Sequence, residues 1–120
     1  MADLNRAFLK MLDTYGRQKL KFSEEHFERR RNRGLDRAAI EQYLFEKKDE
    51  LVDVVQAENR FGQIRYRAYY KYGRKKILLI VVDAEVGFFK VVTFIIMDKK
   101  QQLGAMRDAS KYSKIARRLR

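Results

Sequence analysis

The chain has 120 residues, with 28 Lys and Arg against 16 Asp and Glu, one His and no Cys, for a formal net charge of +12. That length holds one domain with an ordinary core, and the lack of Cys excludes a disulfide framework, a thiolate metal site and a Cys nucleophile, leaving a reducing cytoplasm as the default compartment. The positive field draws polyanions, of which RNA and other nucleic acids are the commonest soluble kind; an acidic, antitoxin-like protein is an alternative partner. The opening stretch MADLNRAFLKMLDTYG is charged throughout and lacks the apolar core of a signal peptide. No run reaches the roughly eighteen apolar residues of a membrane helix, so no membrane association is expected.

Leu4, Phe8, Met11, Leu12 and Tyr15 recur at helical spacing, with Asp3 near the N-cap and Gly16 just past the end, which predicts an amphipathic helix over 4–15 within an N-terminal unit, 1–18. Residues 19–22 alternate basic with apolar, as a short edge strand does. Ser23, followed by Glu25 and His26, caps a predicted second helix over 24–33 that Gly34 ends. Asp36 caps a third over 37–45, whose Ala39, Ile40, Tyr43 and Leu44 form one apolar face. After the charged connector 47–50, residues 51–57 read as the first strand of the main sheet and 58–63 as a turn. In 64–71 the alternation is clear: Arg65, Arg67, Tyr69 and Lys71 share one face, Ile64, Tyr66, Ala68 and Tyr70 the other. One face is cationic and the other is core. Turns at 72–75 and 83–88 then bracket two aliphatic runs, 77–82 and 91–97, each read as a strand buried on both faces.

The last residues carry Leu103, Met106, Ala109, Tyr112, Ile115 and Ala116 near a 3.6 period, consistent with a basic helix or an arm. From Lys99 onward there are eight basic residues and one acidic, so more than half of the charge excess sits there. The expected architecture is α+β: N-terminal helices packed on a largely antiparallel sheet of about four strands, with 19–97 as the core and 98–120 as a basic C-terminal helix or arm.

Among chemistry-bearing residues, His26 stands one helical turn from Arg29 and Arg30 and two from Arg33, so an imidazole and three guanidiniums fall on one side of the predicted helix. Cleaving RNA without a metal needs a base for the 2′-OH, an acid for the leaving 5′-oxygen and cations for the developing phosphorane charge. Neighbouring cations favour the neutral, basic imidazole. The candidate catalytic set is therefore His26, Arg30 and Arg33. Arg29, Arg65, Arg67, Tyr69 and Lys71, with Arg117 and Arg118 of the tail, are candidates for contacting nucleic acid, Tyr69 by stacking a base. One His and no Cys exclude a His/Cys metal cluster. Asp83 and Glu85 followed by Lys90 read as a polar hairpin loop, no glycine pair has P-loop spacing, and no cofactor is expected.

The order KLKFSEEHFERRRNRGLDRAAIEQYL, then a hairpin, a KILLIVV strand and a KVVTFI strand, resembles the DUF4258-type domains over roughly residues 19–97. The matching positions are His26, Arg29 or Arg30, the Arg33-Gly34-Leu35 turn, and Thr93. That family is grouped with the RelE-like toxin ribonucleases of the barnase-related class, so the resemblance implies a RelE-like fold and a metal-independent endoribonuclease of the mRNA interferase kind. Two other readings stay open on the same residues: a non-catalytic nucleic-acid-binding or regulatory domain, and an interaction module whose charge matches an acidic protein.

Overall fold

A strand that is aliphatic at every position belongs in the middle of a sheet covered on both sides. The run ILLIVV does take that place. A computed structural model describes residues 3–23 and 35–98. In chain order the elements are helix α1 (Asp3–Tyr15), strand β1 (Leu20–Phe22), helix α2 (Arg37–Phe45), and strands β2 (Leu51–Glu58), β3 (Ile64–Tyr72), β4 (Lys76–Ala84) and β5 (Phe89–Asp98). They form one five-stranded sheet in the order β1-β5-β4-β3-β2, in which β1 runs parallel to β5 and every other pair is antiparallel. The fold is α+β with a mixed sheet, one strand more than expected. The extra strand is the 19–22 edge segment, whose parallel pairing to 89–91 alternation alone does not specify.

Both helices lie on one face. Burial of Phe8 and Leu12 from α1 and of Ile40, Tyr43 and Leu44 from α2 covers Tyr66, Ala68 and Tyr70 of β3, Leu78, Ile80 and Val82 of β4, and Phe89, Val91 and Phe94 of β5. Phe8 packs on Tyr66 at 5.4 Å between ring centroids, and Tyr43 meets Tyr70 edge-on at 5.7 Å. Local chemistry fixes the helix ends. Gly16, at φ 69°, sends its N–H back to the Leu12 carbonyl at 2.8 Å, a left-handed stop that an L side chain resists. Asp36 caps α2 by accepting the Ala39 N–H at 2.9 Å.

The other sheet face departs from the expected cationic surface. Val55, Tyr69, Ile77, Leu79 and Val81 form a second buried cluster, with Val92, Ile95 and Met97 half-buried against it. Because β4 is apolar on both faces, its odd-numbered residues draw their β3 neighbour Tyr69 into an apolar patch. Tyr69 is 4% exposed, so it does not present its ring to a nucleic acid. Ile64, expected in the core, is instead 41% exposed at the start of β3. The 83–88 turn is also shorter than expected: Asp83 and Ala84 continue β4 in register with Lys90 and Phe89, and the reversal is closed by Glu85 N–H to Phe88 O at 2.9 Å. The predicted helix over 24–33 with Gly34, and the tail 99–120, lie outside the described residues. Among the described residues no helix is long and apolar enough to cross a membrane.

Candidate functional site

Strand register brings Ala57, Arg65, Asp83 and Lys90 into one row across β2, β3, β4 and β5, on the face opposite the helices. Side chains directly opposite on neighbouring strands touch, so Arg65 and Asp83 meet. The guanidinium grips the carboxylate at two points, Nε to Oδ1 at 2.6 Å and Nη2 to Oδ2 at 3.0 Å. Asp83 is 3% exposed. Burial by itself raises its pKa, but hydrogen bonds from Arg65 and Asn59 and the charges of Arg65 and Lys90 outweigh burial and hold the carboxyl below its ordinary range. The same bonds hold Arg65 more firmly protonated.

Around this pair the β2–β3 turn is built on Asn59. Its Oδ1 accepts the Phe61 N–H at 2.9 Å and the Gln63 N–H at 3.0 Å, while its amide donates to Gln63 Oε1 at 2.9 Å and Asp83 Oδ2 at 3.2 Å. The Gln63 amide donates in turn to Glu85, whose backbone oxygen accepts the Tyr15 hydroxyl at 3.2 Å. Lys90 Nζ stands 4.0 Å from Glu85 Oε1. These groups line a cleft of about 490 Å³, together with Ser23, Arg60, Phe61 and Val92. Three cations face two carboxylates there, and Arg65 is matched to Asp83. Arg60 lies over the Phe61 ring at 4.8 Å, and Phe61 is 72% exposed. A guanidinium on an open aromatic ring offers both a charge for a phosphate and a flat surface for a base.

The sequence-predicted residues divide accordingly. Arg65 lines the cleft, but its charge is committed to Asp83 rather than free for a phosphate. Arg67 and Lys71 are exposed on the same face, farther along β3 and outside the cleft. Tyr69 is buried beside them. His26, Arg29, Arg30, Arg33, Arg117 and Arg118 lie outside the described residues. Covalent geometry still bounds His26: Ser23, whose N–H bonds Val91 O at 2.9 Å, lines the cleft. Three residues span at most about 11 Å, so the His26 Cα lies within that distance of the Ser23 Cα. Thr93 pairs with Val81 next to the cleft residue Val92, and its hydroxyl is buried with no partner among the described residues.

Asn59, Arg60, Phe61 and Gln63 were passed over as a turn, although Asn followed by Arg-Phe-Gly is a polar turn with an aromatic that nothing nearby buries. Asp83 was assigned to a loop. Extending the two-residue period of β4 from Ile77 places it on the Arg65 face. Among the described residues no three His, Cys, Asp or Glu side chains converge as metal ligands. No family model, curated protein or solved structure matches the chain.

Proposed function

We propose that the protein acts on RNA as a metal-independent endoribonuclease of the toxin type, on a RelE-like arrangement of helices and sheet. The observation that carries this reading is the cleft itself. It is polar, net cationic and bordered by an exposed Arg60–Phe61 ledge, and its edge residue Ser23 is three residues from the sole histidine. The described lining offers no proton-transfer group suited to neutral pH, because Asp83 is held ionised by Arg65. His26 supplies that group in this reading, accepting the 2′-OH proton or protonating the leaving 5′-oxygen, while Arg30 and Arg33 take up the phosphorane charge. Arg29, Arg67 and Lys71 track phosphates, and Phe61 stacks a base. Arg65 positions: with Asp83 and Asn59 it fixes the cleft wall.

One observation favours a second reading, a non-catalytic RNA-binding or regulatory domain. The innermost cation of the cleft is neutralised, which suits a wall that shapes a groove better than one that stabilises a transition state. An acidic antitoxin-like protein is a further partner that the net charge of +12 suits. Incubation of purified protein with RNA in EDTA separates the two. Cleavage that His26→Ala abolishes while binding persists supports the enzyme; intact RNA with tight, salt-sensitive binding supports the binding domain.

A further inference from the structure

The helix-free face of the sheet is the least expected part of the molecule. Val55, Tyr69, Ile77, Leu79 and Val81 keep only 4–8% of their surface exposed, yet α1 and α2 are both on the opposite face and the cluster contains strand residues alone. An antiparallel sheet with one face in water normally alternates apolar with polar residues. Here the β4–β5 half of that face is apolar through Val81, Leu79, Ile77, Ile95 and Met97. A patch of this kind marks a place where something docks.

We propose that the chain's own C-terminal segment, 99–120, is the occupant, packing as an amphipathic helix along β4 and β5. Composition selects it over the other segment outside the described residues. Residues 24–34, EEHFERRRNRG, hold one large apolar side chain, Phe27, and are tethered at both ends, with Leu35 already fixed in the helix-side core. Residues 99–120 hold Leu103, Met106, Tyr112, Ile115 and Leu119 at three- and four-residue spacings suited to one helix face, with their eight cations mostly between them. The chain leaves β5 at Asp98, opposite Lys76 and next to the Ile77–Met97 pair, at the far end of the apolar face from Arg65, Asp83 and Lys90. Length also fits: 22 residues as a helix reach about 33 Å, and the ten residues of β5 about 33 Å. A segment that turns back at Asp98 therefore covers the patch from end to end and brings Arg117, Arg118 and Arg120 towards the polar cleft. Its outer, basic side then replaces the apolar face with a cationic one. This inference does not depend on whether the cleft cleaves RNA.

The full-length chain has no native Cys, so Ser113→Cys can carry a single nitroxide spin label. Methyl signals of Leu79, Val81 and Ile95 should then be broadened strongly, and those of Val54, Ile80 and Val82 on the helix side much less. Equal broadening of both sets, or none, would overturn the proposal. So would broadening in isotope-labelled, unspun protein mixed with spin-labelled protein, because that would place a second copy on the face. As a second readout, the triple variant Leu103→Glu, Met106→Glu, Ile115→Glu of the full chain should bind a hydrophobic dye and exchange β4 amide protons at least tenfold faster. Unchanged dye binding and exchange would count equally against it.

Discussion

Arg65 and Asp83 are the best-ordered charges in the protein, and removing one exposes what the pair contributes. With Arg65→Met, Asp83 stays buried without its counter-ion, and the fold should lose about 3 kcal/mol, read as a lower urea midpoint at pH 7. Arg65→Met with Asp83→Leu should recover most of that loss, since the stranded charge is then gone. The pH dependence follows from the direction of the Asp83 shift. Its folded pKa lies below its unfolded one, so its contribution is complete above the unfolded value, about 3.9, and disappears as pH falls from there through the lower folded value. Urea midpoints at pH 7, 4 and 3 should therefore fall more steeply for the wild type than for Asp83→Asn. Asp53 has the opposite sign. Burial raises its pKa despite a hydrogen bond from the Val54 N–H, so its charge costs stability at neutral pH, and Asp53→Asn should raise the pH 7 midpoint.

At the scale of elements, Asn59 holds the β2–β3 turn and the cleft wall at once. Asn59→Ala strips hydrogen bonds from the Phe61 and Gln63 N–H groups and from Asp83, so it should destabilise by about 2 kcal/mol in chemical denaturation and speed amide exchange at residues 60–64. Asp36→Ala removes a single cap bond and should cost about 1 kcal/mol. The contrast between these residues shows what could be read beforehand. Asp36 was legible because a cap acts within three residues of chain, and the α1 and α2 faces were legible because their period is local. Tyr69 was misplaced because its surroundings depend on β4 being apolar on both sides, a property of the partner strand. Asp83 was misplaced because the polar DAE sequence reads as a turn until Arg65, eighteen residues earlier, is seen opposite it. The direction of β1 depends on its pairing with β5, some seventy residues away in sequence. The turn residues Arg60 and Phe61 were visible but carried no periodic signal.

At the scale of the whole molecule, a +12 chain with a cationic cleft at one end of its sheet should bind RNA with an affinity that falls linearly in log-log terms as salt rises. Phe61→Ala should weaken that binding by about 1–3 kcal/mol if the ring stacks a base. Because Phe61 is exposed, fold stability should hardly change. The central claim is that this cleft, with His26 at its border, cuts RNA through the 2′-OH without a metal. The most direct measurement gives the purified protein, in EDTA, an oligoribonucleotide that it cuts and the same oligonucleotide with a single 2′-deoxy substitution at the cut position. The account predicts cleavage of the first to a 2′,3′-cyclic phosphate end and an intact second strand. Equal cleavage of both, or no RNA that the protein cuts in EDTA, would contradict it.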